Sequence, residues 1–319
     1  MTKVAYLPFE KSIYDIENKI EEVKRLSNES GIDLTAKIDE LTKKAEEAKK
    51  NLYNNLKPYE RIQIARHPMR PTFLDYVRNI TTDWLELHGD RAGSDDRSII
   101  GGVCRIDNQP VVLIGTQKGR TTRENIEYNF GMPQPEGYRK ALRLFKHAER
   151  FGLPIITIID TPGAYPGMKA EETGQGVAIA ENLLEMAKLE VPVIAIITGE
   201  GCSGGALGLA VANKVYMLEN AYYTVITPEG CASILWCDAS FAEQAAEALK
   251  ITAEFLLNAK IIDGIIKEPL GGAHHNPEEA YANLKEMILT GLNELEKYDA
   301  KKLISTRYDK YRAMGEVKL

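Results

Sequence analysis

Residues 199–205, Gly-Glu-Gly-Cys-Ser-Gly-Gly, follow an apolar run over 192–198 and lead into the small residues of 206–212. That order reads as a buried strand, a glycine-rich turn and a helix over 203–212. The first-turn amides of a helix have no intrahelical partner and sit at the positive end of the macrodipole. Gly204 and Gly205 carry no side chains to shield theirs. The chemistry on offer is stabilisation of negative charge, whether on a bound anion or on an oxyanion that forms during reaction.

Three patterns overlap in this stretch. Gly199, Gly201 and Gly204 fit the dinucleotide fingerprint G-x-G-x-x-G, with Glu219 near the distance at which an acidic residue closes the second strand. That fingerprint belongs in the first strand-to-helix turn of its fold, and here it lies late in the chain. Gly201, Ser203 and Gly205 also fit G-x-S-x-G, the nucleophile elbow of hydrolases, with Asp238 or Asp263 and His274 downstream. No HGGG-type oxyanion segment precedes it. In the third reading the Gly204 and Gly205 amides are themselves the functional groups. A close helix–sheet contact would also call for glycine, but a run this dense exceeds what one contact needs.

These residues sit in a chain of 319 residues that is 44% apolar, enough for one large domain or a domain with an appendage. A net charge of −6 gives no footprint for nucleic acid or an anionic membrane. No apolar stretch is long enough to span a bilayer and the first residues lack a secretory apolar core, so a cytoplasmic enzyme is expected. The cysteines Cys104, Cys202, Cys231 and Cys237 form no C-x-x-C pair, and the adjacent His274 and His275 are poorly placed to share a metal. No metal site is expected in this chain.

The elements that must hold the turn divide near residue 57. Before it, Ile13, Ile16, Ile20 and Val23, then Leu34, Ile38, Leu41, Ala45, Ala48 and Leu52, recur at alternating three- and four-residue steps. That predicts a helical hairpin over 1–57 turning at Gly31, with a second domain over 58–319. From about residue 97 the pattern becomes α/β. Strands are predicted over 99–105, 111–116, 154–160, 192–198, 215–218 and 223–226, the first two a hairpin across 107–109. A helix after Gly163 shows Val177, Ala180, Leu183, Leu184 and Ala187 on one apolar face, and further helices are predicted over 276–296 and 298–313. The unit of strand, glycine bend, helix and short strands repeats at least twice. Such ββα units wind either into a spiral or into a flat doubly wound sheet, and periodicity does not distinguish the two.

The runs DTPGAYPG (160–167), GEGCSGGAL (199–207), ITPEGCASILW (226–236) and EPLGGAHHNP (268–277) together resemble the α-subunit family of bacterial acetyl-CoA carboxylase carboxyltransferases. RHPMRPTFLDYV (66–77), ELHGDRAGSDDRSIIGGV (86–103) and QKGRTTRENIEYNFGMPQPEGYRKALRL (117–144) extend the resemblance over roughly residues 60–280. It implies a crotonase-like spiral of ββα units behind an N-terminal helical arm. It also implies an α2β2 heterotetramer with the active site at the α/β interface, acetyl-CoA mainly on the β side and carboxybiotin mainly on this chain. The family transfers a carboxyl group from biotin, tethered to the biotin carboxyl carrier protein, to the methyl carbon of acetyl-CoA, giving malonyl-CoA for fatty acid synthesis. Zinc is expected only in a ribbon on the β subunit. No cofactor is expected on this chain itself, biotin and the CoA thioester arriving as substrates.

This chemistry suits a glycine turn. Removing a proton beside a thioester creates an enolate oxyanion, and releasing the carboxyl group leaves charge on the biotin ureido oxygen. Each needs fixed N–H donors, a single one typically worth about 2.7–4 kcal/mol of transition-state stabilisation. The resemblance assigns the Gly204 and Gly205 amides to the ureido oxygen. The freed biotin nitrogen can take the methyl proton, so no His or Asp base is required. Gly163 and Ala164 offer a second set of amides, or an ordinary Pro-Gly turn. Lys118 and Arg120, like Arg123, Arg139 and Lys140, could meet CoA phosphates or the acidic face of a partner. Ser203 is expected to cap the helix, Cys202 to fill a small core space where the family has glycine, and Glu229, Gly230 and Trp236 to shape the pocket or interface. The near rival is a carboxyltransferase for another acyl-CoA such as propionyl-CoA; the more distant one is a hydrolase using Ser203.

Overall fold

Runs of isoleucine and valine with no polar alternation call for strands covered on both faces, and the sheet is built around two of them. The computed structural model describes residues 6–30 and 33–315. Its strands are β1 (Thr82–Glu86), β2 (Ile99–Ile106), β3 (Gln109–Thr116), β4 (Ile155–Thr161), β5 (Val193–Cys202), β6 (Lys214–Leu218), β7 (Tyr222–Thr224) and β8 (Gly264–Ile266). They form one sheet in the order β1-β2-β3-β4-β5-β6-β8, with β7 set off the path against β5. Every residue of β4 and β5 is buried. The β2–β3 hairpin pairs Ile106 with Gln109, one residue tighter than the sequence suggests, and Asp107 makes the turn with a φ of +51°.

From β3 onward the pairing is parallel. Helices Pro135–Phe151 and Gln175–Lys188 carry the chain from β3 to β4 and from β4 to β5. Helices Pro277–Leu295 and Ala300–Ala313 close the described chain. Helix Lys11–Ser30 packs on Thr35–Asn54, with Ile13, Ile20 and Ala45 buried, while Gly31 lies outside the described residues. No described helix is long and apolar enough to cross a membrane.

The feature that places the glycine turn is an irregularity in β5. Its ladder with β4 runs as far as Ile159 opposite Ile197 and then resumes at Thr161 opposite Gly201. Residues 198–200 therefore bulge, and a bulge bends its strand and re-aims the residues beyond it. Below the bulge, β5 pairs with β6 from Ile194 to Ile197; above it, Glu200, Gly201 and Cys202 pair with β7 instead. The strand thus leaves one neighbour for another just before the turn, and it runs four residues past the end at 198 that its apolar run predicts.

Two other expectations change. The helix after β5 spans only Ser203–Leu207 rather than 203–212, so little macrodipole accumulates behind the turn. On helix Gln175–Lys188 the buried side chains are Gln175, Ala178, Asn182 and Met186, with Leu183 packed partly against the core. Gln175 donates to the carbonyls of Pro133 and Tyr165, and Asn182 to that of Gly208, so loop backbone draws the polar face inward. Val177, Ala180, Leu184 and Ala187 face outward.

Candidate active site

The loops leaving β4 and β5 meet. A Cβ placed on Gly205 would lie 2.4 Å from the Ala164 nitrogen and 2.5 Å from the Gly163 carbonyl carbon, so the two turns touch and only glycine fits at 205. Gly163 takes a φ of +142°, a conformation for which glycine is required. Tyr138, buried on helix Pro135–Phe151, donates its hydroxyl to the Gly205 carbonyl at 3.1 Å and fixes the far side of the turn. Helix Ser203–Leu207 starts without a side-chain cap, so the Gly204 and Gly205 amides have no partner from helix or cap.

Of the second pair, Gly163 donates its amide to the Thr161 hydroxyl at 3.1 Å, which leaves Ala164 as the available donor. The Gly163–Ala164 and Gly204–Gly205 turns thus lie in backbone contact. Beside them lies an apolar cavity of about 320 Å³, walled by Gly204, Leu207, Tyr223, Val225, Leu256 and Ile261.

Ser203 departs from its expected role. It sits in the left-handed region at φ +59°, its side chain is exposed, and it caps nothing. Among the described residues no hydrolase relay assembles around it. His274 stacks on His67 with ring centroids 3.8 Å apart, and its buried Nδ1 has no hydrogen-bond partner. Burial, reinforced by His67, His275 and Arg70, lowers its pKa to about 2 and keeps the imidazole neutral. Asp263 is engaged by the Val215 amide and Lys310, and Asp238 by the Ser240 amide. The dinucleotide fingerprint fails as well, because Gly199 and Gly201 lie within β5 rather than in a turn. Cys202 is fully buried among Ile62, Ala65, Tyr222, Ala246 and Ile251, and burial raises its thiol to about 12. It fills space, as the sequence suggests.

Lys118 and Arg120 are placed near the site but are already engaged. The Lys118 ammonium donates to Asp160 Oδ1 at 2.6 Å and Glu200 Oε1 at 2.8 Å, and Arg120 pairs with Asp75 at 2.7 Å. Glu200 also accepts from Arg66 Nε at 2.9 Å and from the Tyr222 hydroxyl. Arg66 reaches on to Glu229 at 2.7 Å. Beneath this network the fully buried Arg70 grips Glu268 through two parallel bonds of 2.7 and 2.8 Å. Sequence reasoning does not single out Asp160, Glu200, Arg66, Arg70 or Glu268. The available signal is a carboxylate at the end of each of two buried apolar strands, since a charge in that position needs a partner.

The fold is shared with solved carboxyltransferases of the crotonase-like class. Transcarboxylase 12S superposes with a TM-score of 0.58 at 18% identity, covering 72% of this chain and 42% of that one. The β subunit of Pseudomonas aeruginosa geranyl-CoA carboxylase gives 0.56 at 16% identity, covering 78% and 46%. This chain spans less than half of either, and at such identity the likeness establishes the fold, including the crotonase-like arrangement expected from the sequence.

Within that class, the chain belongs to the family described as acetyl co-enzyme A carboxylase carboxyltransferase-like, which matches residues 6–315. It is 52% identical over 314 residues to the acetyl-coenzyme A carboxylase carboxyl transferase subunit alpha of Synechocystis sp., covering 98% of this chain and 96% of the relative. The subunit of the same name from Fusobacterium nucleatum is 53% identical over 309 residues, covering 97% and 99%.

Proposed function

We propose that this chain is the α subunit of an acetyl-CoA carboxylase carboxyltransferase, moving a carboxyl group from carboxybiotin to acetyl-CoA to give malonyl-CoA in the cytoplasm. The observation that carries the reading is the backbone contact between the Gly163–Ala164 and Gly204–Gly205 turns, with Gly204 bordering a largely apolar cavity. Neutral donors fixed by backbone suit a charge that exists only in the transition state, because they need no reorganisation when it forms. Biotin, borne by its carrier protein, is the substrate of this half-site. Its bicyclic ring suits the cavity of about 320 Å³ that Gly204 borders, and in this reading the Gly204 and Gly205 amides serve the ureido oxygen. Ala164, with Gly163 shaping its turn, stands where a second oxyanion can be met.

Exposed apolar side chains lie on this chain, Val225 at the cavity itself and Val177, Leu184 and Ile234 elsewhere; they are 76%, 63%, 56% and 72% exposed. Large apolar surface left open beside a site marks an interaction face. Its occupant in this reading is the β subunit, which brings the acyl-CoA and its own zinc ribbon and forms the α2β2 assembly.

The test is carboxyl transfer from malonyl-CoA to biocytin, followed as acetyl-CoA released, with the chain alone and with its β partner. Activity only in the mixture is expected. No activity with both chains folded and associated overturns the acetyl-CoA assignment, and a better rate with methylmalonyl-CoA would move it to propionyl-CoA.

A further inference from the structure

The bulge in β5 leaves backbone groups without ladder partners, and buried groups of that kind must be satisfied elsewhere. Side chains satisfy them here. The Thr198 carbonyl accepts from Arg70 Nε at 2.7 Å, and the Glu200 amide donates to Asp160 Oδ1 at 2.8 Å. Gly199 makes the second contact possible, because a Cβ there would lie 2.5 Å from that same oxygen. Asp160 therefore clamps the bulge from the neighbouring strand. The same Oδ1 also accepts the Lys118 ammonium, which reaches across to Glu200 Oε1.

Lys118 thus joins three strand ends. It lies just beyond β3, Asp160 is the penultimate residue of β4, and Glu200 lies in β5. Two residues beyond Asp160 the chain reaches Pro162 and then Gly163 and Ala164; three residues beyond Glu200 it reaches Ser203 and the Gly204–Gly205 turn. Both amide-bearing turns hang from the two carboxylates that one ammonium holds together. Burial alone would lower the Lys118 pKa, but Asp160 and Glu200 raise it, so the lysine is cationic in this setting. Without that cation, Asp160 would face Glu200 with only Arg66 left to offset Glu200, which a largely buried pair resists by separating or by protonating one carboxylate.

We propose that Lys118 is a positioning residue, whose ion pairs with Asp160 and Glu200 set the distance between the Gly163–Ala164 and Gly204–Gly205 turns. It acts through the backbone and touches no substrate. The inference rests on the carboxyltransferase reading for its kinetic consequence, though not for its structural one.

The experiment uses the chain assembled with its β partner and compares wild type with Lys118→Met, which keeps the apolar stem and removes the charge. Two quantities are read: the kinetics of carboxyl transfer from malonyl-CoA to biocytin, and deuterium uptake by peptides covering 199–207. A displacement of about 1 Å between reacting groups costs on the order of 100-fold. A fall in kcat of about that size is expected, with KM for malonyl-CoA and biocytin each within about threefold. Faster exchange in 199–207 should accompany it.

An unchanged kcat with unchanged exchange overturns the proposal. So does a large rise in KM for malonyl-CoA at full kcat, since that would place the ammonium on the CoA phosphates. If Lys118→Met fails to assemble, Lys118→Met with Glu200→Gln removes the Lys118 and Glu200 charges together, and exchange in 199–207 decides: faster supports the role, unchanged overturns it. If the wild-type complex transfers no carboxyl group, the functional reading fails while the exchange comparison still decides the positioning role.

Discussion

Replacing Gly205 with alanine inserts a single methyl group where two loops touch. Its Cβ would lie 2.4 Å from the Ala164 nitrogen, 2.5 Å from the Gly163 carbonyl carbon and 2.9 Å from the Gly163 Cα, all backbone atoms that no rotamer change can move aside. Ordinary contact requires about 1 Å more, and misplacement by about 1 Å costs on the order of 100-fold in rate. Tyr138, bonded to the Gly205 carbonyl from the other side, resists retreat in that direction. The displacement therefore falls on the spacing of the two turns. Overpacking of this kind costs about 1–3 kcal/mol of stability, which a domain of this size survives. Loss of one oxyanion donor costs about 2.7–4 kcal/mol at the transition state, or roughly 100- to 1,000-fold.

Gly204→Ala is the matched control. Its Cβ would meet only the methyl groups of Ile179, at 3.8 Å, so the same change one residue earlier leaves the backbone in place. Steady-state carboxyl transfer in the assembled complex, with thermal unfolding alongside, reads both variants. Gly205→Ala is expected to lose about 100-fold or more in kcat while still associating with the β chain, and Gly204→Ala no more than about tenfold. Gly205→Ala with kcat within about threefold of wild type would refute the argument that these turns act through their spacing.

Removing one member of the buried Arg70–Glu268 pair, as in Arg70→Met, should cost about 3–5 kcal/mol and lower the thermal midpoint; Arg70→Met with Glu268→Leu should recover part of it, and equal losses in the two would show that charge pairing is not the cause. Glu200 carries a pH signature: burial alone would raise its pKa, but Lys118 and Arg66 hold it down at about 2. Against an unfolded value of about 4.3, this adds stability that is complete above that pH and lost as the pH falls toward about 2. The thermal midpoint should decline across that window less steeply in Glu200→Gln than in wild type, and parallel curves would assign the acid sensitivity elsewhere. Ser203→Ala should keep kcat within about threefold, and the wild-type chain should resist fluorophosphonate, because no histidine–aspartate relay stands behind the hydroxyl.

A local pattern can disclose only what local physics decides. The apolar runs that begin β4 and β5 need no tertiary information, since strands covered on both faces read as near-continuous apolar runs. The arm is legible for the same reason: a three–four seam is periodic whatever it packs against. Helix Gln175–Lys188 misleads because its inward face is chosen by loop carbonyls distant in sequence, which recruit Gln175 and Asn182 and leave Val177 and Leu184 outside. Lys118 misleads similarly. A lysine among basic neighbours reads as surface charge until the fold brings Asp160 and Glu200 to it across 42 and 82 residues.

The bulge in β5 explains why the glycine turn is recognisable in the sequence while its working is not. Gly199 looks like one more member of an anion-binding run, yet it serves the strand, leaving room for the Asp160 carboxylate. Gly205 serves the contact between loops, and of these glycines Gly204 alone borders the apolar cavity, where a Cβ would meet only Ile179 at 3.8 Å. A five-residue helix contributes only a small macrodipole, so field strength does not explain the density of glycine. Close approach does: each of two glycines admits a group from the neighbouring strand or loop that a methyl would exclude. Fixed backbone donors are effective only insofar as they do not move when charge develops. If Lys118 positions the turns as proposed, that rigidity comes from paired charges behind them, and the determinants of rate lie partly among residues that never meet a substrate.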